Sequence, residues 1–436
     1  MMLFLKKYFK ITVASYFLLL PQIVDAFEET SITIMDAFFN AFERDARIKA
    51  AQSALRSAQQ GVTLSGSHRW PKINSTGSLG LSDVGSVNEL GNPQSDGFRA
   101  TYGIEVDQNL YSFGRNDARY KKAITEVSIS QNKLLKTEQE VLLDVANAYI
   151  DLLQEQKLVA ALSEHSKTLA DLAHATEEKY KEELVTEIDF YLVKARLAQA
   201  EADLSVAKAN LSNARNSFER LTGIAVDTLY DTSVIDLLTR IPSTLDRLLA
   251  FSLGNAPSLK IAEAQYKLAD ANLLLERSER WPDFSLVGRM SRGRIGQRDV
   301  NTEEVGIRFR VELFDGGASH SKITSRRHDL EEAREQMAFA EEMAEQTTRS
   351  YHNQLEGLEI SITAWHEAID AENKALEGLF IQVEEGVKPI SDYLESKERA
   401  IDNIKQEISL SSTILRTKFK LLEAIGALNR LQLLSL

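Results

Sequence analysis

The chain contains no cysteine among its 436 residues. That excludes disulfides, thiol catalysis, thiolate metal sites and a lipidated N-terminal cysteine. It also lacks an excess of basic residues: the net charge of −13 argues against a nucleic-acid partner. Beyond its first residues, no apolar run approaches the ~20 residues that a membrane helix needs, so any membrane passage must be made by strands. Catalytic constellations are missing as well. The seven histidines (His68, His165, His174, His320, His328, His352, His366) form no His-Glu-x-x-His pair and stand near no Gly-x-Ser-x-Gly elbow. Gly316-Gly317 lacks the downstream Lys-Ser/Thr of a phosphate loop. Most of the histidines fall in predicted helix and are expected to be solvated. The sequence therefore points to no enzyme, no cofactor and no metal.

The first 26 residues read as a secretory signal peptide. Lys6, Lys7 and Lys10 form a basic start, residues 11–20 are a short apolar run, and Val24-Asp25-Ala26 offers small residues for cleavage. The apolar run is too short to span a bilayer, so the expectation is an exported envelope protein held together by packing alone.

Glycine and proline are absent from one long stretch. Between Gly114 and Gly223 lie 108 residues without either, and these are the strongest breakers of regular structure. The stretch is rich in helix formers. Its second part carries a seven-residue repeat: Leu197, Leu204, Leu211 and Phe218 form one stripe, and Val193, Ala200, Ala207, Ala214 and Leu221 the other. That alternation predicts coiled-coil packing. Leu134, Val141 and Ala148 continue it more weakly in the first part. A helix over about 115–181 is roughly 100 Å long at ~1.5 Å per residue, a rod that must lie against other long helices.

The layout occurs twice. Arg69-Trp70-Pro71 recurs as Arg280-Trp281-Pro282, Leu110-Tyr-Ser-Phe-Gly114 as Leu313-Phe-Asp-Gly-Gly317, and Gly223 as Gly426. The spacing drops from 211 to 203 between the first two elements, which places an insertion in copy one, in the glycine-rich residues 84–97. Each copy opens with a helical segment, about 32–65 and about 243–280, with Asp36 and Asp246 at matching places near the starts and Pro71 and Pro282 ending them. In copy two, a long helix over about 319–384 meets a turn at Glu385-Gly386-Val387-Lys388-Pro389. A return helix follows with Leu394, Ile401, Ile408, Leu415 and Leu422 at sevens. In copy one the turn falls near 182–187. The expected map is a signal peptide (1–26), repeat 1 (27–223; β-hairpin about 72–111, helices about 115–181 and 188–221), a linker (224–242) and repeat 2 (243–436; β-hairpin about 283–314, helices about 319–384 and 390–425).

Each copy contributes two strands with period-two alternation. Phe98, Ala100, Tyr102, Ile104 and Val106 share one face of the first; Val305, Ile307, Phe309, Val311 and Leu313 share one face of the second. Polar and charged residues lie between them. A soluble sheet with one wet face would look similar. Segments of about ten residues with aromatics at their ends favour a membrane barrel instead. On that reading Ile104, Val106, Ile307 and Phe309 face lipid, while Glu105, Arg308 and Arg310 face the lumen. Four strands cannot close a barrel, since about eight is the smallest usual number. Several chains must share one, and three chains give twelve strands.

The ordered set of features resembles the TolC family of outer-membrane efflux proteins over nearly the whole mature chain. It consists of the tandem repeat, the Leu-Tyr-Ser-Phe-Gly and Leu-Phe-Asp-Gly-Gly elements, the turn Glu-Gly-Val-Lys-Pro-Ile-Ser-Asp392-Tyr-Leu-Glu395, and the closing Lys-Leu-Leu-Glu-Ala-Ile-Gly426-Ala-Leu. The resemblance implies a mainly α fold with a membrane portion: a homotrimeric twelve-stranded barrel in outer-membrane lipid, continued by a coiled-coil α-helical barrel across the periplasm. It further implies a passive exit duct of a tripartite export system, opened at its periplasmic end by a periplasmic adaptor and an inner-membrane transporter. The closing segment looks more like members serving type I protein secretion than lipidated drug-efflux members. Asp392 and Glu395, three residues apart, share one helix face after the turn. The family carries an Asp-x-x-Asp there, lining the periplasmic mouth. Lys388 matches a basic position whose bonds hold the mouth closed, with Asp189 of copy one as its expected partner. The plainer reading of these acids is a solvated helix start. The competing function, a periplasmic coiled-coil adaptor or scaffold, shares the export signal and heptads but not four amphipathic strands.

Overall fold

The computed structural model describes residues 33–82, 97–226, 229, 244–295 and 298–428. The expected signal peptide, the insertion apart from Gly97, and most of the linker lie outside them. In chain order the elements are α1 (Ile34–Arg44), α2 (Ala46–Ser67), β1 (Lys72–Ser82), β2 (Gly97–Tyr111), α3 (Arg115–Lys181) and α4 (Glu187–Thr222). The second copy repeats them as α5 (Leu245–Asn255), α6 (Pro257–Ser278), β3 (Asp283–Ile295), β4 (Arg298–Arg310), α7 (Ala318–Glu384) and α8 (Ile390–Ala424).

The opening helical segment of each copy, expected to be continuous, is two helices. In copy one, Asp45 adopts extended backbone and its side chain accepts from the Arg47 amide at 2.7 Å, ending α1 and capping α2 together. In copy two, Ala256 is extended because Pro257 follows it. Thr33 and Asp36 form a reciprocal capping box at the start of α1. Asp246 falls one residue earlier in its helix, and Thr244 makes no such bond.

The four strands form one antiparallel sheet in the order β1-β2-β3-β4. Each hairpin is internal to a repeat, and β2–β3 joins the repeats, with Glu105 opposite Arg289. β4 ends at Arg310 rather than continuing to Leu313. Its partner β3 begins at Asp283, and Pro282 before it has no amide to donate. Among the described residues the two edges of the sheet, β1 and β4, are unpaired within the chain.

α3 and α7 are 67 residues each, roughly 100 Å long, and each is met by its return helix. Val193, Ala200 and Ala207 of α4 are buried with Leu394, Ile401 and Ile408 of α8. Near the middle of the rods, α1 packs across α3. Ile34, Phe38 and Ala41 meet Val141, Val145 and Tyr149, with Phe218 and Phe419 closing the cluster. Phe38 meets Phe419 edge-on at 6.3 Å, and Tyr149 meets Phe218 at 6.1 Å. Fully burying such side chains stabilises by about 1.5–3 kcal/mol each, which holds α1 against the rods.

Candidate functional site

Two regions carry the residues singled out from the sequence, one at each end of the rods. At the strand end, alternation divides the sheet into two faces. Ile104, Ile307 and Phe309 are exposed and Val106 is half-buried on one face. The register adds Leu79, Leu286 and Met290 to that face. The opposite face holds Glu105, Arg308 and Arg310 together with two residues the sequence reading did not single out, Asp107 and Arg289. Glu105 lies 3.4 Å from Arg289 and 3.9 Å from Arg308, and Asp107 lies 3.5 Å from Arg308. This network crosses β2, β3 and β4. Arg289 could have been found only by knowing that β3 pairs with β2, a contact made far apart in sequence.

The strand-to-helix joints are aromatic. Phe113 stacks on Trp281 at 5.4 Å and meets Tyr111 at 4.7 Å. Arg115 donates to the Trp281 carbonyl at 3.0 Å, tying the start of α3 to the start of β3. Aromatic rings at this level suit a membrane interface.

At the other end, each rod reverses through a tight turn. Glu182 to Thr186 in copy one correspond residue for residue to Glu385 to Pro389 in copy two. Glu183 (φ 62°) and Gly386 (φ 72°) hold the same left-handed backbone. Asp189 is therefore the counterpart of Asp392. Asp189 accepts from the Thr186 hydroxyl at 2.7 Å, and Thr186 accepts from the Asp189 amide at 3.1 Å. Pro389 has no hydroxyl to repeat this, and Asp392 instead accepts from Lys388 Nζ at 3.2 Å. Within the chain the partner of Lys388 is thus Asp392 rather than Asp189, although Lys388 and Asp189 line the same cleft of about 430 Å³ between the two turns. Glu395 is exposed and pairs with Arg399 at 3.0 Å. Thr186 carries a capping signal, Thr-x-x-Asp, that was present in the sequence and not used.

Among the described residues no cluster of His, Asp or Glu is arranged to hold a metal, and no helix is long and apolar enough to cross a membrane. The expectation of solvated histidines fails at His165. It is buried in the C-terminal half of α3, and that burial pushes its pKa below the usual imidazole value. Nearby hydrophobic packing by Leu162, Ala207 and Ile401 accounts for the dry surroundings.

Among the described residues, an amphipathic sheet with free edges, set on paired helical rods with no membrane helix, defines a channel subunit of the outer-membrane type. The chain belongs to the outer membrane efflux protein family, whose pattern it matches over residues 39–224 and 248–427. It is 22% identical to the outer membrane efflux protein BepC of Brucella suis biovar 1 over 97% of this chain and 91% of that protein. It is 20% identical to the alkaline protease secretion protein AprF of Pseudomonas aeruginosa over 91% and 83%. Its fold matches the crystal structure of the outer membrane protein VceC of Vibrio cholerae with a TM-score of 0.77 at 18% identity, covering 90% of this chain and 96% of that one. The matched family is one of channels, and nothing in these likenesses favours an adaptor or scaffold.

Proposed function

We propose that three copies of this chain form one exit duct of a tripartite export system, a passive conduit without catalysis or cofactor. The observation that carries it is the four-stranded sheet, which is amphipathic, joined to the rods at an aromatic level and unpaired at both edges. Four strands are too few to close alone. Ile104, Val106, Ile307 and Phe309 then face outer-membrane lipid, and Glu105, Arg308 and Arg310 face the lumen.

The far end supports a partner. Leu184, Ile188, Tyr191 and Val387 stand exposed around the two turns, and an apolar tip on a long rod suits docking of a periplasmic adaptor that couples to an inner-membrane transporter. Asp392 and Glu395, with Lys388 and Asp189 beside the same cleft, form the periplasmic gate on this reading. The test is the size of the detergent-solubilised protein. Three chains per particle, extracted only with outer membrane, are expected; a stable monomer that keeps its strands would sink the proposal.

A further inference from the structure

One seam stripe of α3 alternates at steps of 4 and 3: Leu158, Leu162, His165, Leu169, Leu172 and Thr176. His165 stands where that pattern calls for an apolar side chain. It is 6% exposed, between Leu162 at 4% and Leu169 at 2%. Thr176, the other polar member, is satisfied by its own helix, donating to the Leu172 carbonyl at 2.8 Å. The Nδ1 of His165 is buried and has no hydrogen-bond partner among the described residues. At a spacing of 203, the counterpart in repeat 2 is Ala368, which is exposed. The buried imidazole therefore belongs to repeat 1 alone.

The ring lies where three helices meet. Leu162 of α3, Ala207 of α4 and Ile401 of α8 form one buried layer beside it. The charged groups that face it are Lys397, Lys405 and Asp402 of α8 and Asp203 of α4. Burial chiefly keeps the ring neutral, Lys397 and Lys405 add to that, and the two aspartates act against it. The next layer towards the turn joins Leu169 of α3, Val193 and Ala200 of α4 and Leu394 of α8. Leu394 is two residues from Asp392.

We infer that His165 is a proton-operated catch on α8. Neutral, it lets α3, α4 and α8 close around a dry seam. Charged, it needs water or an anion, because a cation sealed in an apolar layer is costly. Of the two anions that face it, Asp402 is already bound to Lys405 at 3.1 Å, which leaves Asp203 of α4. The new cation is thus drawn to α4 and repelled by the two lysines of α8, so the seam parts on the α8 side. The sign follows from burial. The ring takes up a proton more readily in water than in the closed seam. The seam is therefore fully stable above the ordinary imidazole value of 6.5 and loses stability as pH falls below it. Release passes through the Leu394 layer to the start of α8, which carries Asp392 and Glu395. That last link rests on the gate reading above; the catch itself does not.

Hydrogen exchange of the protein in detergent tests the catch. Between pH 7.5 and pH 5.5, protection in residues 158–172 and 394–405, corrected for the intrinsic exchange rate, should fall by as much as about tenfold. Residues 320–340 of α7 serve as the unchanged reference. His165→Leu and His165→Gln cannot take up the proton and should hold their protection constant over this range. The two variants differ in polarity, so poor packing of one leaves the other to decide. A flat wild type, or variants that lose protection as the wild type does, overturns the catch. Single-channel conductance reads the link to the mouth: it should rise at pH 5.5 in the wild type and stay level in His165→Leu. A seam that loosens with no rise in conductance, or a rise that survives in His165→Leu, overturns that link and leaves the catch standing.

Discussion

The two repeats have almost the same element lengths and different fates. α3 and α7 are both 67 residues, yet α3 has twenty buried residues and α7 five. The difference lies in neighbours rather than in helix propensity: α3 is enclosed by α1, α2, α4, α6 and α8, whereas α7 meets α5, α6 and α8. Phe339 and Ile360 of α7 remain exposed within the single chain. Repeat 1 thus builds the interior of the subunit, and repeat 2 presents a flank that a neighbouring copy can cover. The backbone differs in the same sense. Where repeat 2 has Gly316 and Gly386 in left-handed backbone, repeat 1 has Phe113 and Glu183, non-glycine residues at φ 46° and 62°.

The sharpest way to break this comparison is to truncate one ring in each repeat. Phe218→Ala empties a fully buried position in the core and is expected to cost about 3–5 kcal/mol. Phe339→Ala, on the open flank of α7, should change the stability of the isolated subunit by no more than about 0.5 kcal/mol, while loosening association between copies. Thermal loss of helicity, read beside particle size, separates the two; equal losses of stability would mean that α7 is no flank. Next comes the membrane face. Ile104→Arg and its counterpart Ile307→Arg should each cost about 2–4 kcal/mol at mid-bilayer and impair insertion, whereas Arg308→Ser inserts normally. Outer-membrane fractionation decides it, and equal tolerance of Ile307→Arg and Arg308→Ser contradicts the assigned faces. Smaller still is the turn. Glu183→Gly relieves left-handed strain of about 1 kcal/mol and should raise the unfolding midpoint, whereas Gly386→Ala should lower it by a similar amount. No change in either would show that the turns tolerate side chains equally.

The parts of the fold legible in the sequence were those with a local cause. The glycine-free stretch and the heptads announced the rods, and period two announced the strands. The breaks at Asp45 and Ala256 were missed because one depends on an aspartate cap and the other on a single proline inside an otherwise helical pattern. The charge network was half legible. Glu105, Arg308 and Arg310 followed from alternation, but Arg289 depends on β2–β3 pairing across 184 residues of sequence, which no local pattern carries. The pairing of Lys388 was misassigned because copy one's turn has no glycine or proline to mark it. The shared left-handed residue, Glu183 and Gly386, agrees with the spacing of 203 between the copies and makes Asp189 the counterpart of Asp392.

That correction sharpens the last comparison, between the two turns as parts of a gate. In copy one, the Asp189 carboxylate accepts from the hydroxyl of Thr186, the helix cap; in copy two, Asp392 is held by Lys388 and Glu395 by Arg399. Such exposed pairs along a helix are worth only about 0.3–0.5 kcal/mol, so their loss should scarcely alter folding. On the proposed gate their effect on ions is expected to be larger, because three copies of each acid at one narrow opening would form a ring like those of cation-selective pores. In bilayers the protein is expected to conduct poorly, to favour cations, and to be blocked by multivalent cations from the periplasmic side. Asp392→Ala with Glu395→Ala should weaken selectivity and block together. Lys388→Ala removes the bond across the turn and leaves Asp392 without its cation, so conductance should rise while cation selectivity is kept or strengthened. Asp189→Ala removes the carboxylate that accepts from the Thr186 hydroxyl but leaves the Thr186 cap on its backbone amide, and should alter stability by no more than about 0.5 kcal/mol with little change in selectivity. Single-channel recordings of the three variants decide between the turns. If the double carboxylate variant keeps full selectivity and block, the acids of copy two are a solvated helix start, no different in kind from Asp189.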